Sequence, residues 1–94
     1  MPNYIIAYDI SDNKRRKKVS DILEGYGTRV NYSVFEIQLS TKAQKKSIEK
    51  ELLKILNPSK DSLRFYHICK NCIDKSWSLG EENPPFQRDT IYFF

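Results

Sequence analysis

The chain has 94 residues, 39% hydrophobic and 13% aromatic, with a formal net charge of +4. That is apolar material for one compact domain with a thin core. No apolar run approaches the roughly 20 residues that span a bilayer and no secretory n-region and h-region is visible, so a cytoplasmic protein without a membrane partner is expected.

The run Tyr4-Ile5-Ile6-Ala7-Tyr8 has strand length and β-branched and aromatic character. So continuous an apolar run predicts a strand covered on both faces, closing on Asp9 at the rim of the core. A carboxylate there loses hydration unless a cation, a donor or a metal faces it. Asp12 and Asn13 then offer helix caps, with Asp12 read as a cap and not a ligand. Val19, Ile22, Leu23 and Tyr26 recur at spacings of three and four, one face of a helix that Gly25 and Gly27 stop. Five of the sixteen basic residues lie consecutively at 14 to 18. Cations at a helix N-terminus work against the macrodipole, so Lys14, Arg15, Arg16, Lys17 and Lys18 read as a phosphate-contacting stripe.

From residue 28 to residue 39 the alternation changes phase. Val30, Tyr32 and Val34 share one parity, Phe35, Ile37 and Leu39 the other. One regular strand with a single buried side cannot do this, so a bulge or a tight reversal is expected near Asn31 to Ser33. Tyr32 is read as core or dimer packing. Thr41-Lys42-Ala43-Gln44 has capping-box spacing, and Ile48, Leu52, Ile55 and Leu56 follow on one helix face until Asn57-Pro58. Ser62 to Cys69 is strand-like again.

Cys69 and Cys72 are the only cysteines and His67 the only histidine. Together they give at most three ligands where a structural zinc site takes four, so reduced thiols at a strand end are expected, with a redox pair or a metal shared across a dimer as alternatives. The segment from Asp74 to Pro85 is polar and turn-rich and reads as a linker. Thr90-Ile91-Tyr92-Phe93-Phe94 is β-prone and apolar, so it is expected to pair with a sheet, its own or a partner's.

The element order strand, basic helix, strand pair, helix, strand predicts an α+β, ferredoxin-like βαββαβ domain over residues 1–80, with 81–94 as linker and C-terminal strand. Three segments narrow this. Tyr8-Asp9-Ile10-Ser11-Asp12-Asn13-Lys14-Arg15-Arg16, Gly27 to Glu36 (Gly27-Thr28-Arg29-Val30-Asn31-Tyr32-Ser33-Val34-Phe35-Glu36) and Asp61-Ser62-Leu63-Arg64-Phe65-Tyr66 resemble, in order and spacing, the signature segments of the second CRISPR-associated protein family, the small Cas-two subunit of spacer acquisition. The resemblance implies a homodimer in which each C-terminal strand lies on the partner's sheet. It implies one Mg²⁺ shared per dimer between two copies of Asp9, a partner in the Cas-one integrase, and DNA or RNA as ligand. As site residues it implies Asp9 as metal ligand, with Tyr8, Arg16, Arg29 and Phe35 beside it, and Lys18 as a further basic position.

Three functions follow as expectations: a metal-dependent endonuclease acting on RNA or DNA, a non-catalytic DNA-bridging scaffold in spacer acquisition, and a toxin-like ribonuclease of the same fold. Nothing in the sequence places a histidine as general base.

Overall fold

The computed structural model describes residues 2–80 and 85–87. Strands β1 (Asn3–Asp9), β2 (Gly27–Asn31), β3 (Val34–Gln38) and β4 (Ser62–Ile68) form one antiparallel sheet in the order β2-β3-β1-β4. Helix α1 (Asn13–Glu24) joins β1 to β2, α2 (Lys42–Ile55) joins β3 to β4, and a short α3 (Lys70–Asp74) follows β4. This is the ferredoxin-like arrangement that the element order predicts. Among the described residues no helix is long and apolar enough to cross a membrane.

The core forms where the two long helices meet one face of the sheet. Val19 and Leu23 of α1 and Ile48 and Leu52 of α2 pack with Tyr4, Ile6, Tyr8, Phe35 and Ile37 of the central strands. Strand β1 therefore alternates and is not covered on both faces as its continuous apolar run predicts. Tyr4, Ile6 and Tyr8 are buried, Asn3, Ile5 and Ala7 are half-buried, and Asp9 is exposed. The physical reason is that both long helices lie on the same side, so among the described residues the side carrying Ile5 and Ala7 has no long helix packed on it.

Both long helices begin as their sequences predict. The Asp12 carboxylate accepts the Arg15 N–H at 2.9 Å, and Thr41 Oγ1 accepts the Gln44 N–H at 3.1 Å. These bonds satisfy amide groups that have no partner inside the helix. The return half of the capping box is displaced by one residue: Gln44 Oε1 accepts the Ser40 N–H at 2.6 Å rather than that of Thr41.

The change of phase between β2 and β3 is resolved by a bulge and a reversal together. Arg29 pairs with Phe35 and Asn31 with Val34, which leaves Val30 as the extra residue, and Tyr32-Ser33 forms the turn. The bulge preserves the pairing of Arg29 with Phe35 while the turn exposes Tyr32, whose relative accessibility is 87%. Tyr32 is thus not in the core.

Gly27 lies opposite Ile37, where the chain enters β2. A Cβ at this position would stand 2.0 Å from the Glu36 carbonyl oxygen and 2.6 Å from Ile37 Cα, both backbone atoms. Gly27→Ala is therefore expected to force β2 away from β3 and to destabilise the fold by about 1–3 kcal/mol, read as a lower urea midpoint. Gly25→Ala, whose nearest contact is 3.3 Å at Ile22 O, is the milder comparison.

The segment expected to be a linker ends in ordered contact. Pro85–Gln87 form a single 3-10 turn, Phe86 is buried, and its N–H donates to Glu36 Oε1 at 2.8 Å. Glu36 shares its parity with Val34 and Gln38, opposite to the buried Phe35 and Ile37, so it lies on the side of β3 turned from the core. The C-terminal strand expected at 90–94 and the rest of the segment 81–94 lie outside the described residues.

Candidate nucleic-acid interface

Asp9 ends β1, and its carboxylate accepts no hydrogen bond and makes no ion pair among the described residues. The sequence predicts that something must face this acid; among the described residues nothing does, because the strand end is exposed and its hydration is retained. Tyr8, one residue earlier, points the other way. Its ring is buried and stacks on Phe35 with centroids 6.3 Å apart, and its hydroxyl donates to the Tyr32 carbonyl at 3.5 Å. Burial pushes the Tyr8 phenol above its ordinary value of 10.0 against the opposing pull of Arg29 and Arg16, so it remains a donor near neutral pH.

Two arginines reach the same place from different elements. Arg29 on β2 lies over the Phe35 ring at 5.4 Å, donates from a terminal nitrogen to Ser20 Oγ, and stands 3.6 Å from Glu24 Oε1. Arg16, in the first turn and a half of α1, donates from Nε to the Ile10 carbonyl at 3.2 Å and from a terminal nitrogen to Asn13 Oδ1 at 2.6 Å. Tyr8, Asp9, Arg16, Arg29 and Tyr32 line one open cleft of about 700 Å³. A neighbouring depression of about 400 Å³ shares Tyr8, Arg16 and Arg29 and adds Lys17, Ser20 and Glu24. The arrangement presents two guanidinium groups, a phenol and a solvated carboxylate to one small volume, which suits a phosphodiester approaching with its oxygens toward the arginines.

The basic run does not form a stripe. A helix turns by about 100° per residue, so five consecutive side chains sweep past a full circle and cannot share a face. Arg15 turns inward and grips Asp61, Nε to Oδ2 at 2.8 Å and a terminal nitrogen to Oδ1 at 3.0 Å, with the Asp61 side chain only 1% accessible. That fork engages the Arg15 guanidinium within the fold, away from the cleft that holds Asp9. Lys17 pairs with Asp21 on the exposed face at 3.0 Å. Lys14 and Lys18 are exposed and make no salt bridge among the described residues. Of the five, Arg16 alone lines the cleft that holds Asp9.

Phe35 also changes place. It is wholly buried, beneath the cleft and not on its lining. What it does is fix Arg29, through its ring face and through their pairing across the two strands. Sequence reasoning missed Ser20 and Glu24, which anchor Arg29 from α1. Ser20 lies four residues after Arg16 and beside the buried Val19, a helical spacing that puts it on the inner face of α1, but only the fold shows that β2 delivers Arg29 there.

The remaining ligand candidates do not assemble. Among the described residues no group of three or more His, Cys, Asp or Glu side chains is placed to hold a metal ion. His67 stacks on Tyr4 at 5.1 Å, and Cys69 and Cys72 are exposed free thiols.

Comparison with known proteins agrees with this fold and these segments. Residues 1–76 match the family model for CRISPR associated protein Cas2. A Synechocystis sp. protein named CRISPR-associated endoribonuclease Cas2 3 is 48% identical over 85 residues, 90% of this chain and 89% of that protein. The crystal structure of Streptococcus pyogenes Cas2 at pH 6.5 superposes with a TM-score of 0.74 at 32% identity, covering 83% of this chain and 99% of that one. A chain of a partial Cas6-RT-Cas1--Cas2 complex superposes with a TM-score of 0.77 at 31% identity, covering 99% and 98% of the two chains. With the family model spanning both long helices and all four strands, and relatives matched over most of their length, the chain belongs to the CRISPR associated protein Cas2 family.

Proposed function

We propose that two copies of this chain form a homodimer that grips the backbone of DNA or RNA and, with one Mg²⁺ shared between the two Asp9 carboxylates, cleaves phosphodiesters in CRISPR adaptation beside a Cas1 integrase. The observation that carries this proposal is the convergence of Asp9, Arg16 and Arg29, from β1, α1 and β2, on one open cleft. The relatives' name as endoribonucleases and the Cas1-containing complex of a structural neighbour point the same way.

The residues present fit the ion. Asp9 offers an exposed oxygen donor with no competing partner among the described residues, the hard ligand that Mg²⁺ takes through one or two carboxylates with water and phosphate filling the other positions. One chain supplies one such carboxylate, so a second copy completes the pair. When bound, the ion supplies a positive charge on the scissile phosphate and an activated water. The protein's own groups do the rest. Arg16 and Arg29 are aimed by Ile10 O, Asn13, Ser20 and Glu24 and meet the charge that develops on the phosphoryl oxygens, without having to reorganise. Tyr8, kept protonated by burial, orients by donating a hydrogen bond and is not a base.

A scaffold function is favoured by a separate observation: Lys14 and Lys18 face solvent outside the Asp9 cleft, where they attract phosphate without serving chemistry there. Both functions require backbone binding, which one measurement tests. Arg16→Ala with Arg29→Ala is expected to reduce the slope of log affinity against log salt by about one unit for each contact removed, with no change in sequence preference. Affinity and slope equal to those of the unaltered protein would place the binding surface elsewhere.

A further inference from the structure

The two cysteines lie far along the chain from the Asp9 cleft and have no part in the function proposed above. Cys69 follows the last residue of β4 and Cys72 stands in the first turn of α3. Both are exposed, and their sulfurs are in hydrogen-bond contact at 3.3 Å. A covalent bond needs the sulfurs at about 2.05 Å, so the two must close by little more than an ångström from their present contact. The two sulfurs already face each other where β4 ends and α3 begins, which is the contact an intramolecular bond would close.

We propose that Cys69 and Cys72 form a reversible dithiol/disulfide couple, oxidised by small-molecule disulfides of the glutathione class. The alternatives read from the sequence fit the geometry less well. Among the described residues of one chain no group of three or more His, Cys, Asp or Glu side chains gathers, so these two thiols do not complete a metal site by themselves. Inert structural thiols are ordinarily buried, whereas these two are solvent-facing and turned to each other.

The chemistry has a direction. The Cys72 backbone N–H and then the Cys72 thiol hold Cys69 below the ordinary thiol value, while the same contact pushes Cys72 up. Cys69 is thus the attacking thiolate and Cys72 the resolving thiol. The Cys69 thiolate attacks one sulfur of the oxidant, forming a mixed disulfide and releasing one small-molecule thiolate, which takes up the Cys69 proton. Cys72 then loses its proton, attacks Cys69 Sγ and expels the second small-molecule thiolate, which takes up that proton. Two protein sulfurs are oxidised, one oxidant disulfide is reduced to two thiols, and no other reactant is needed. The product pins the end of β4 to the first turn of α3, whose buried Ile73 seats the helix and so sets where the following chain departs.

The test uses the 94-residue chain in reduced/oxidised glutathione buffers of graded ratio, quenched with acid and read by intact mass. The expected result is a species lacking two hydrogens and carrying no glutathione, reversed by dithiothreitol. Iodoacetamide near neutral pH is expected to label Cys69 faster than Cys72. Cys69→Ser is expected to abolish the intramolecular product, and Cys72→Ser to stop at a single glutathione adduct on Cys69. Adducts retained on both cysteines of the unaltered chain, no reaction at full oxidation, or stoichiometric zinc that protects both thiols from labelling would each overturn the proposal. Because both thiols are exposed, the serine variants are expected to keep the melting temperature of the unaltered reduced protein, so a negative result cannot be attributed to unfolding.

Discussion

Asp9→Asn is expected to remove metal-dependent cleavage, by a factor on the order of 10³ or to below detection, while leaving the melting temperature within about 2 °C of the original. The two halves of this expectation have separate causes. Stability is spared because Asp9 is exposed at a strand end and no described group hydrogen-bonds or ion-pairs with its carboxylate, so its loss orphans nothing. Catalysis is lost because an amide keeps the shape but not the charge that a hard divalent ion requires. Affinity for nucleic acid in the absence of metal is expected to rise slightly, since a negative charge beside Arg16 and Arg29 no longer opposes the phosphate. The check is cleavage of labelled RNA and DNA by matched preparations, with magnesium titrated from none to excess. Cleavage at the original rate would assign the activity to a contaminant and leave the scaffold function, under which Asp9→Asn still supports spacer acquisition.

The contrast between Asp9 and Arg15 shows which parts of the site can be read from a sequence. Asp9 is legible because it closes an apolar run, and the end of a strand is a place that patterning defines. The basic run is legible as charge but not as geometry. Arg15 and Arg16 are chemically identical neighbours, and what separates them is Asp61, 46 residues away, which takes one and leaves the other to the cleft. Phe35 is legible as apolar and strand-borne, yet its effect on Arg29 depends on the bulge at Val30 that sets the register between β2 and β3. Periodicity detects that the phase changes there without showing that a bulge and a turn are both used. Short-range signals served best where a local bond decides the outcome, as at the Asp12 and Thr41 caps. They failed at Phe86, where a turn-rich stretch ends in a buried aromatic anchored to Glu36, because no local pattern encodes a contact with a strand 50 residues earlier.

Asp61→Ala is expected to lower the melting temperature by on the order of 10 °C and to flatten the acid limb of the stability profile. Asp61 is the hub of the junction between α1, the end of α2 and the start of β4. It accepts both bonds of the Arg15 fork and the Asn57 N–H at 2.9 Å, so its removal leaves a guanidinium and an amide without their acceptor. The Arg15 hydrogen bond foremost, then the Asn57 N–H, holds the Asp61 carboxyl at about 2, against 3.8 for an ordinary aspartate. A carboxylate whose value is depressed on folding stabilises the protein fully above its unfolded value, and that contribution is lost as pH falls from about 4 toward 2. Asp12 is shifted in the same direction by the Arg15 N–H that it caps, so the alanine variant should keep a shallower acid limb rather than none. Asp21→Ala is the control. Its partner Lys17 is an exposed neighbour one helical turn away, and such pairs contribute little, so the melting temperature should move by less than about 3 °C. If urea unfolding between pH 2 and pH 7 gave parallel profiles for Asp61→Ala and the unaltered chain, the fork would not be formed in solution, and Arg15 would return to the set of arginines free to meet phosphate.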